Sequence, residues 1–372
     1  SRSSDTSWPS SQPIGVLMVY VLSFILVVGI IILVHELGHF LAARAVGIRV
    51  DRFSIGFGPR LFGFQRGETE YRVAAVPLGG YVKMAGMIDE SLENPDDFDP
   101  SAPDIFMNKK PWQKVLVVSA GVIMNMILAA VVLTGVYATR GVPSLPEVLG
   151  TTIDRPIPGY PAKDAGLQRG DRIVAIDGTP VEKWQDLVEA IYARPDTDVR
   201  IDLERNGERQ EITLHTKSEK GGAEGEQIGK IGIGPLLTYE RVGLGKAIVY
   251  GATSTWALLK QIVHTVYMLF AGQASVKDLA GPVGIARVTG ETARQGMADL
   301  FELLAFISIN IGFINILPIP ALDGGHLLMV AIEGVRRRPL STRLKLSIQQ
   351  IGMLLLFLLI AVVIFNDFMK LR

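Results

Sequence analysis

The chain contains no cysteine. That absence removes disulfides, thiolate nucleophiles and sulfur-ligated metal, so any zinc must be held by histidine and carboxylate. An excess of charge is missing too: Lys+Arg and Asp+Glu both number 37, no global field draws the chain to nucleic acid, and no nucleic-acid partner is expected. Histidine is scarce, five among 372 residues, which gives weight to any place where two fall together. The mean hydropathy is +0.32 although 20% of residues are charged, so the charges must be gathered into a soluble part beside very apolar segments.

Four stretches carry no charged residue at all: 14–34, 115–139, 303–322 and 346–366. A helix needs about 20 apolar residues to cross the hydrocarbon core, where backbone groups find no outside partner. Each stretch is therefore expected to be a membrane span, and membrane lipid a partner. A fifth apolar region, 247–276, is interrupted by Lys260 and His264 and reads as an amphipathic helix at the interface or against the bundle. Ser1 to Pro13 is Ser-rich and lacks an initiator Met, and is expected to be a flexible tail or a cloning remnant. No small-residue cleavage site follows the first apolar run, so a retained span is expected there rather than a signal peptide.

Positive charge near the spans sets orientation. Arg44, Arg49, Arg52, Lys109, Lys110 and Lys114 flank the loop between spans one and two, and Arg336, Arg337, Arg338, Arg343 and Lys345 fill the loop between spans three and four. Both loops are expected in the cytoplasm, leaving the termini and the segment between spans two and three on the opposite side of the membrane.

That segment reads as a compact unit over 142–217. Pro161 to Leu167 and Gly170 to Gly178 frame an alternating strand, a helix is expected over 183–193 before Pro195, and runs 199–204 and 210–216 flank the hairpin turn Asn206-Gly207. The pattern resembles a PDZ domain, a fold that captures extended peptides by adding them as a strand beside its helix, so a peptide tail is a candidate partner. In the first loop, 69–76 and 81–83 are strand-like runs around the turn signal Pro77-Leu78-Gly79-Gly80, and a hairpin there would offer a peptide an edge. The acidic stretch 89–104 is expected to be a solvated loop.

His35-Glu36-Leu37-Gly38-His39 closes the first span. Residues four apart share a helix face, so both imidazoles reach one ion while the glutamate sits beside it as general base. Such a zinc keeps three protein ligands and a water. Asp323 is the best third ligand by depth: spans one and three run in the same direction, and His35 lies 21 residues after Ile14 while Asp323 lies 20 after Leu303. At ~1.5 Å of rise per residue the two arrive at nearly the same level, and a buried acid needs a neutralising partner. His326 and Glu333 are rivals for that role. Two prolines and two glycines between Asn315 and Gly325 must open the third span, leaving backbone groups that line a cavity. Asn315 there either hydrogen-bonds substrate or an oxyanion, or makes a helix contact. Asn125 poses the same choice, and Gly121 is expected to serve packing.

These segments together resemble the site-2 protease family, and within it the bacterial regulated intramembrane proteases of the RseP type. The likeness rests on the pentad with Phe40, Gly56 to Pro59, Val76 to Met84, Gly281-Pro282-Val283, and Asn315 to Gly325. It implies zinc on His35, His39 and Asp323, Glu36 as catalytic base, and a membrane-surface β-hairpin around Tyr71 to Lys83 that aligns unwound substrate. Tyr71, Gly79, Gly80, Asn125 and Asn315 are the candidate substrate-binding residues. Two departures stand out: RseP-type proteins carry tandem PDZ domains where one is legible here, and their Gly-Pro-x-x-Asn appears as Gly121-Val122-Ile123-Met124-Asn125.

The expected fold is thus an α-helical polytopic membrane protein with four transmembrane helices, a membrane-associated β-hairpin and an inserted α/β PDZ-like domain. The expected parts are 14–140 with the first two spans, 142–217, a linker with the amphipathic helix over 218–300, and 301–372 with the last two spans. The expected activity is zinc-dependent cleavage of single-span transmembrane proteins, such as anti-sigma-factor-like proteins or signal-peptide remnants, after a first cut outside. A peptide-binding scaffold without metal and a zinc transporter are the rival readings.

Overall fold

A computed structural model of the chain describes residues 14–87, 99, 101–144, 150–157, 159–220, 226–272 and 281–370. The expected tail at 1–13, most of the acidic stretch 89–104 and the end of the fifth apolar region lie outside them.

Four helices are long and apolar enough to cross a membrane: α1 (Ile14–Ala45), α2 (Pro111–Arg140), α7 (Met297–Ile316) and α9 (Thr342–Lys370). Their unbroken apolar composition leaves the backbone one way to satisfy its polar groups, by bonding within the helix. The chain of α1 runs past the expected end of the first span at residue 34, so the whole pentad is helical. Proline at the first position starts α2, where its missing N–H costs nothing. The interior of the bundle is α2 against α1 and α7: Val27 and Ile31 of α1 meet Leu300, Leu304 and Ile307 of α7, and Ala129, Leu133 and Val136 of α2 meet Ala305 and Ile309. By contrast α9 shows an almost wholly exposed apolar surface, as a helix facing lipid does.

The third span opens within the stretch where its prolines and glycines fall. Helix α7 ends at Ile316, six residues pass without regular structure, and Asp323 opens a separate helix, α8 (Asp323–Arg336). Pro318 and Pro320 withhold the N–H groups a continuous helix would need. Ala321 takes φ +77°, a left-handed conformation costly to a residue with a Cβ. Gly324 and Gly325 permit the turn, because a Cβ on either would collide with the carbonyls of Leu317 or Ile319.

Between α1 and α2 lie two long strands, β1 (Val50–Arg66) and β2 (Thr69–Met84), joined at Gly67. Both bend, so that 52–55 has partners on two sides, 70–73 on one and 80–83 on the other. The hairpin turn therefore sits at 67–68. The Pro77-Leu78-Gly79-Gly80 stretch, expected to be that turn, is a bend inside β2 that carries the chain from one edge of β1 to the other.

The unit after α2 is rooted by β3 (Val142–Ser144) paired with β10 (Thr238–Glu240). Within it are α3 (Pro161–Asp164), a four-stranded sheet of β4 (Arg172–Ile176), β5 (Thr179–Pro180), β6 (Asp198–Arg205) and β7 (Glu208–His215), and helix α4 (Trp184–Tyr192). Asn206 at φ 52° and Gly207 at φ 84° make the left-handed two-residue turn that matches strand twist between β6 and β7. A core of Ile153, Ile173, Ile176, Leu187, Ile201 and Leu203 fills the space under α4. This unit continues past the expected boundary at 217: β8 (Lys217–Lys220) pairs with β9 (Gln227–Lys230), and Ile231 belongs to the same core. A groove of about 320 Å³ remains between α4 and the segment 230–235, walled by Trp184, Leu187, Ile191 and Ile231.

The amphipathic segment is helix α5 (Leu244–Phe270), packed on α2, with Gly251 against Thr134 and the Tyr137 hydroxyl donating to Ser254 Oγ at 3.1 Å. Helix α6 (Pro282–Gln295) follows, its first amides at Gly281 and Gly284 donating to the buried Asp367 carboxylate of α9 at 3.0 Å each.

Candidate metal centre

The four-residue spacing on α1 stacks His35 and His39 on one face, with their Nε2 atoms 3.2 Å apart. The opening of α8 brings Asp323 to the same place, its Oδ2 lying 3.1 Å from His35 Nε2 and 3.3 Å from His39 Nε2. Both imidazoles are buried, and the Asp323 oxygen is sealed from solvent without a hydrogen bond of its own. Among the described residues this is the one group of three or more such side chains able to hold a metal.

The donor set suits zinc. Ligand atoms about 2.0–2.1 Å from a tetrahedral ion stand about 3.3–3.4 Å from one another, and the three edges measured here are 3.1–3.3 Å. Three electron-pair donors held this close in a buried site repel unless a cation or proton joins them. Two imidazoles and a carboxylate, with no thiolate, make a common hydrolytic zinc set. Of the rivals, Glu333 is engaged by Lys345 Nζ at 2.6 Å and by the Leu340 amide at 2.9 Å. His326 is buried and lines the same cavity but stands outside the three-atom cluster.

Helix α2 closes the back of the site. His39 Nδ1 donates to the Val117 carbonyl at 2.9 Å, and His35 Nδ1 lies 3.3 Å from the Asn125 amide. Midway between them, Gly121 leaves room for both rings, since a Cβ there would strike His39 Nε2 and His35 Cε1. Gly38 and Ala120 permit the same approach from the α1 side, a Cβ on Gly38 meeting the Ala120 carbonyl. The packing role expected of Gly121 is thus packing against the imidazoles themselves.

In front of the site is a cavity of about 300 Å³. Glu36 lines it, as do Gly79, Gly80 and Asn315, whose Nδ2 is 3.2 Å from His35 Nε2. Two expected substrate residues are elsewhere. Tyr71 stacks on Phe64 with centroids 5.1 Å apart and packs on Phe40 and Phe53, in the aromatic layer that seats the hairpin on α1. Asn125 is fully buried behind His35. Both were assigned from a strand edge or a helix position without the facing element that occupies them. The apolar walls, Ile32, Phe57, Val82, Met84 and Ile311, were not anticipated, because nothing in an apolar residue's local pattern separates a cavity wall from packing.

The strand segment that fronts the cavity is stiffened from behind. Phe57 stacks on Tyr81 at 6.0 Å, and the Tyr81 hydroxyl accepts from Arg52 and Arg72. Arg52 also donates to Glu70 at 2.9 Å, and that hydrogen bond holds the Glu70 carboxyl below the usual carboxylate range. Among the described residues 80–84 pairs along one edge only, with β1.

A family model described as peptidase family M50 matches residues 23–359. The zinc metalloprotease RasP of Bacillus licheniformis is 34% identical, the match covering 94% of this chain and 99% of that protein. The regulator of sigma-E protease RseP of Escherichia coli K12 is 32% identical over 94% of this chain and 98% of its own. Among solved structures, a PDZ domain of an SdrC-like protein from Listeria monocytogenes is similar over 24% of this chain and 88% of that one, at 21% identity and a TM-score of 0.21.

Proposed function

The chain belongs to peptidase family M50, and from that premise we propose that it cuts single-span membrane proteins within the bilayer, with Glu36 moving the protons and His35, His39 and Asp323 holding the metal. Its class is that of a zinc metalloprotease of the site-2 type, in the inner membrane. The observation that carries the residue assignment is the buried triangle of donors with 3.1–3.3 Å edges, opening on a cavity that Glu36 lines.

Zinc bound there supplies Lewis acidity, polarising a scissile carbonyl and making water acidic enough to attack at neutral pH. Glu36 receives the proton of the attacking water on its carboxylate and delivers it to the amide nitrogen of the departing segment. Asn315 lines the cavity with its Nδ2 3.2 Å from the metal-binding Nε2 of His35, and it offers that donor to the oxygen on which charge develops. A helical substrate shields its peptide bonds with its own hydrogen bonds, so it must unwind first. The one-sided strand 80–84 replaces those bonds along the cavity that Gly79 and Gly80 help to line. The apolar walls accept side chains typical of a membrane span.

The basic loops support an orientation with the metal centre toward the cytoplasm and the unit after α2 outside. There the groove along α4 takes an extended peptide tail. Two relatives are named regulator of sigma-E protease and regulator of sigma-W protease, which makes anti-sigma-factor-like proteins the first substrates to try, with signal-peptide remnants second. In vesicles reconstituted with such a protein, Glu36→Gln abolishes cleavage while the purified variant keeps its zinc. Native turnover by that variant would refute the role given to Glu36.

A further inference from the structure

We infer that Asn125 is a positioning residue of the metal centre. The Asn125 carboxamide stands against His35 with Nδ2 3.3 Å from Nδ1; turned by half, its oxygen accepts the Nδ1–H of His35, as the Val117 carbonyl accepts that of His39, so that α2 turns both Nε2 lone pairs toward Asp323. Val117, Gly121 and Asn125 are successive positions four apart and share one face of α2. The two outer positions reach the two imidazoles and the middle one makes room for them.

A carboxamide fits its slot in either of two orientations related by a half-turn. With nitrogen toward His35, the amide would donate to Nδ1 and force the ring proton onto Nε2, where it blocks metal. It would also leave the Asn125 Oδ1 atom buried without a partner, which is costly. With oxygen toward His35, Nδ1 keeps its proton and Nε2 is free, the arrangement already present at His39. The backbone there is held from a third side: Ser308 Oγ donates to the Asn125 backbone carbonyl at 2.9 Å, and a Cβ on Gly312 of α7 would lie 3.4 Å from the Asn125 Cβ. Asn125 thus sets a ligand's tautomer without touching substrate, a role distinct from the substrate contact expected of it.

This rests on the zinc reading above, and the test separates the two. Zinc release from full-length protein in detergent is measured by chelator competition for the native chain, Asn125→Asp, Asn125→Leu and Asn125→Ala. Aspartate can only accept, so it holds zinc within about threefold of native, whereas Leu and Ala release it about 10–100 times more readily. Loss in the Asp variant as large as in Leu, or native retention in Leu, overturns the assignment. Should Leu not fold, the Ala variant and a second readout decide: the zinc-loaded native protein shows exchange-protected Nδ1–H proton resonances from two ligand histidines, and Asn125→Ala loses one of them. Persistence of both overturns the assignment equally. A native chain that binds no zinc would instead sink the metal reading, and this inference with it.

Discussion

Two buried aspartates in this protein live by opposite rules. In the unit after α2, Asp171 receives Arg205 Nε at 2.7 Å, Arg205 Nη2 at 2.7 Å and the Gln168 amide at 2.8 Å. Every lone pair that matters has a donor, and the carboxylate ties the start of β4 to the end of β6. In the membrane bundle, Asp323 Oδ2 faces two imidazole nitrogens at 3.1 and 3.3 Å with no hydrogen bond, beside a left-handed Ala321 and a broken helix. A charge that the fold satisfies contributes to stability. One that the fold holds ready without satisfying it is available to a ligand, and the cost is spread over the packing around it.

The sharpest way to break that contrast is to remove each carboxylate in turn. Asp323→Ala should drop both zinc content and cleavage to background, by metal analysis and a vesicle assay, while leaving the zinc-free protein as stable as native or slightly more so. Asp171→Ala should do the reverse: zinc content stays near native, while the unfolding free energy of the soluble unit falls by about 1–3 kcal/mol because Arg205 and the Gln168 amide lose their shared acceptor. Loss of zinc in the second variant would erase the distinction. Next in size is Gly121→Ala, whose methyl group meets both imidazoles. Overpacking there should cost about 1–3 kcal/mol and weaken zinc retention, a combination no glycine of the soluble unit should reproduce.

The smallest effect concerns a surface pair in the soluble unit. His215 lies between Asp196 at 3.0 Å and Asp198 at 2.8 Å, and these hydrogen bonds raise its pKa above 6.5. A raised pKa means the charged form is favoured on folding, so the contribution is present in full below about pH 6.5 and fades as pH rises through the folded value. Thermal unfolding of His215→Gln should therefore trail the native protein slightly near pH 6 and match it near pH 9. A difference that grew with pH would contradict this sign.

Much of the bundle was legible because lipid leaves the chain few choices. Charge-free runs of about 20 residues must be helices, and the four expected spans correspond to α1, α2, α7 and α9. The hairpin turn Asn206-Gly207 was equally plain, since its left-handed geometry needs those residue types. The turn in the first loop was misplaced. Pro77 to Gly80 carries stronger turn chemistry than Gly67, but what decides a strand's partner is the neighbour on its edge, and β1 stands between both halves of β2. The third span was expected to open between Asn315 and Gly325, and counting residues along it brought Asp323 to the depth of His35. In the structure the helix stops at Ile316, and the aspartate arrives by way of a break and a new helix start.

What the sequence determined by itself is the inventory: two imidazoles four apart on a helix, a glutamate between them, a distant acid, and no sulfur to compete. Those follow from residue type and local periodicity. Which polar groups ended without partners was decided only when α2 and α8 closed on α1. A hydrogen bond or its absence depends on the group opposite, and for Asp323, Asn125 and Tyr71 that group comes from dozens to hundreds of residues away or from a strand folded back over the helix.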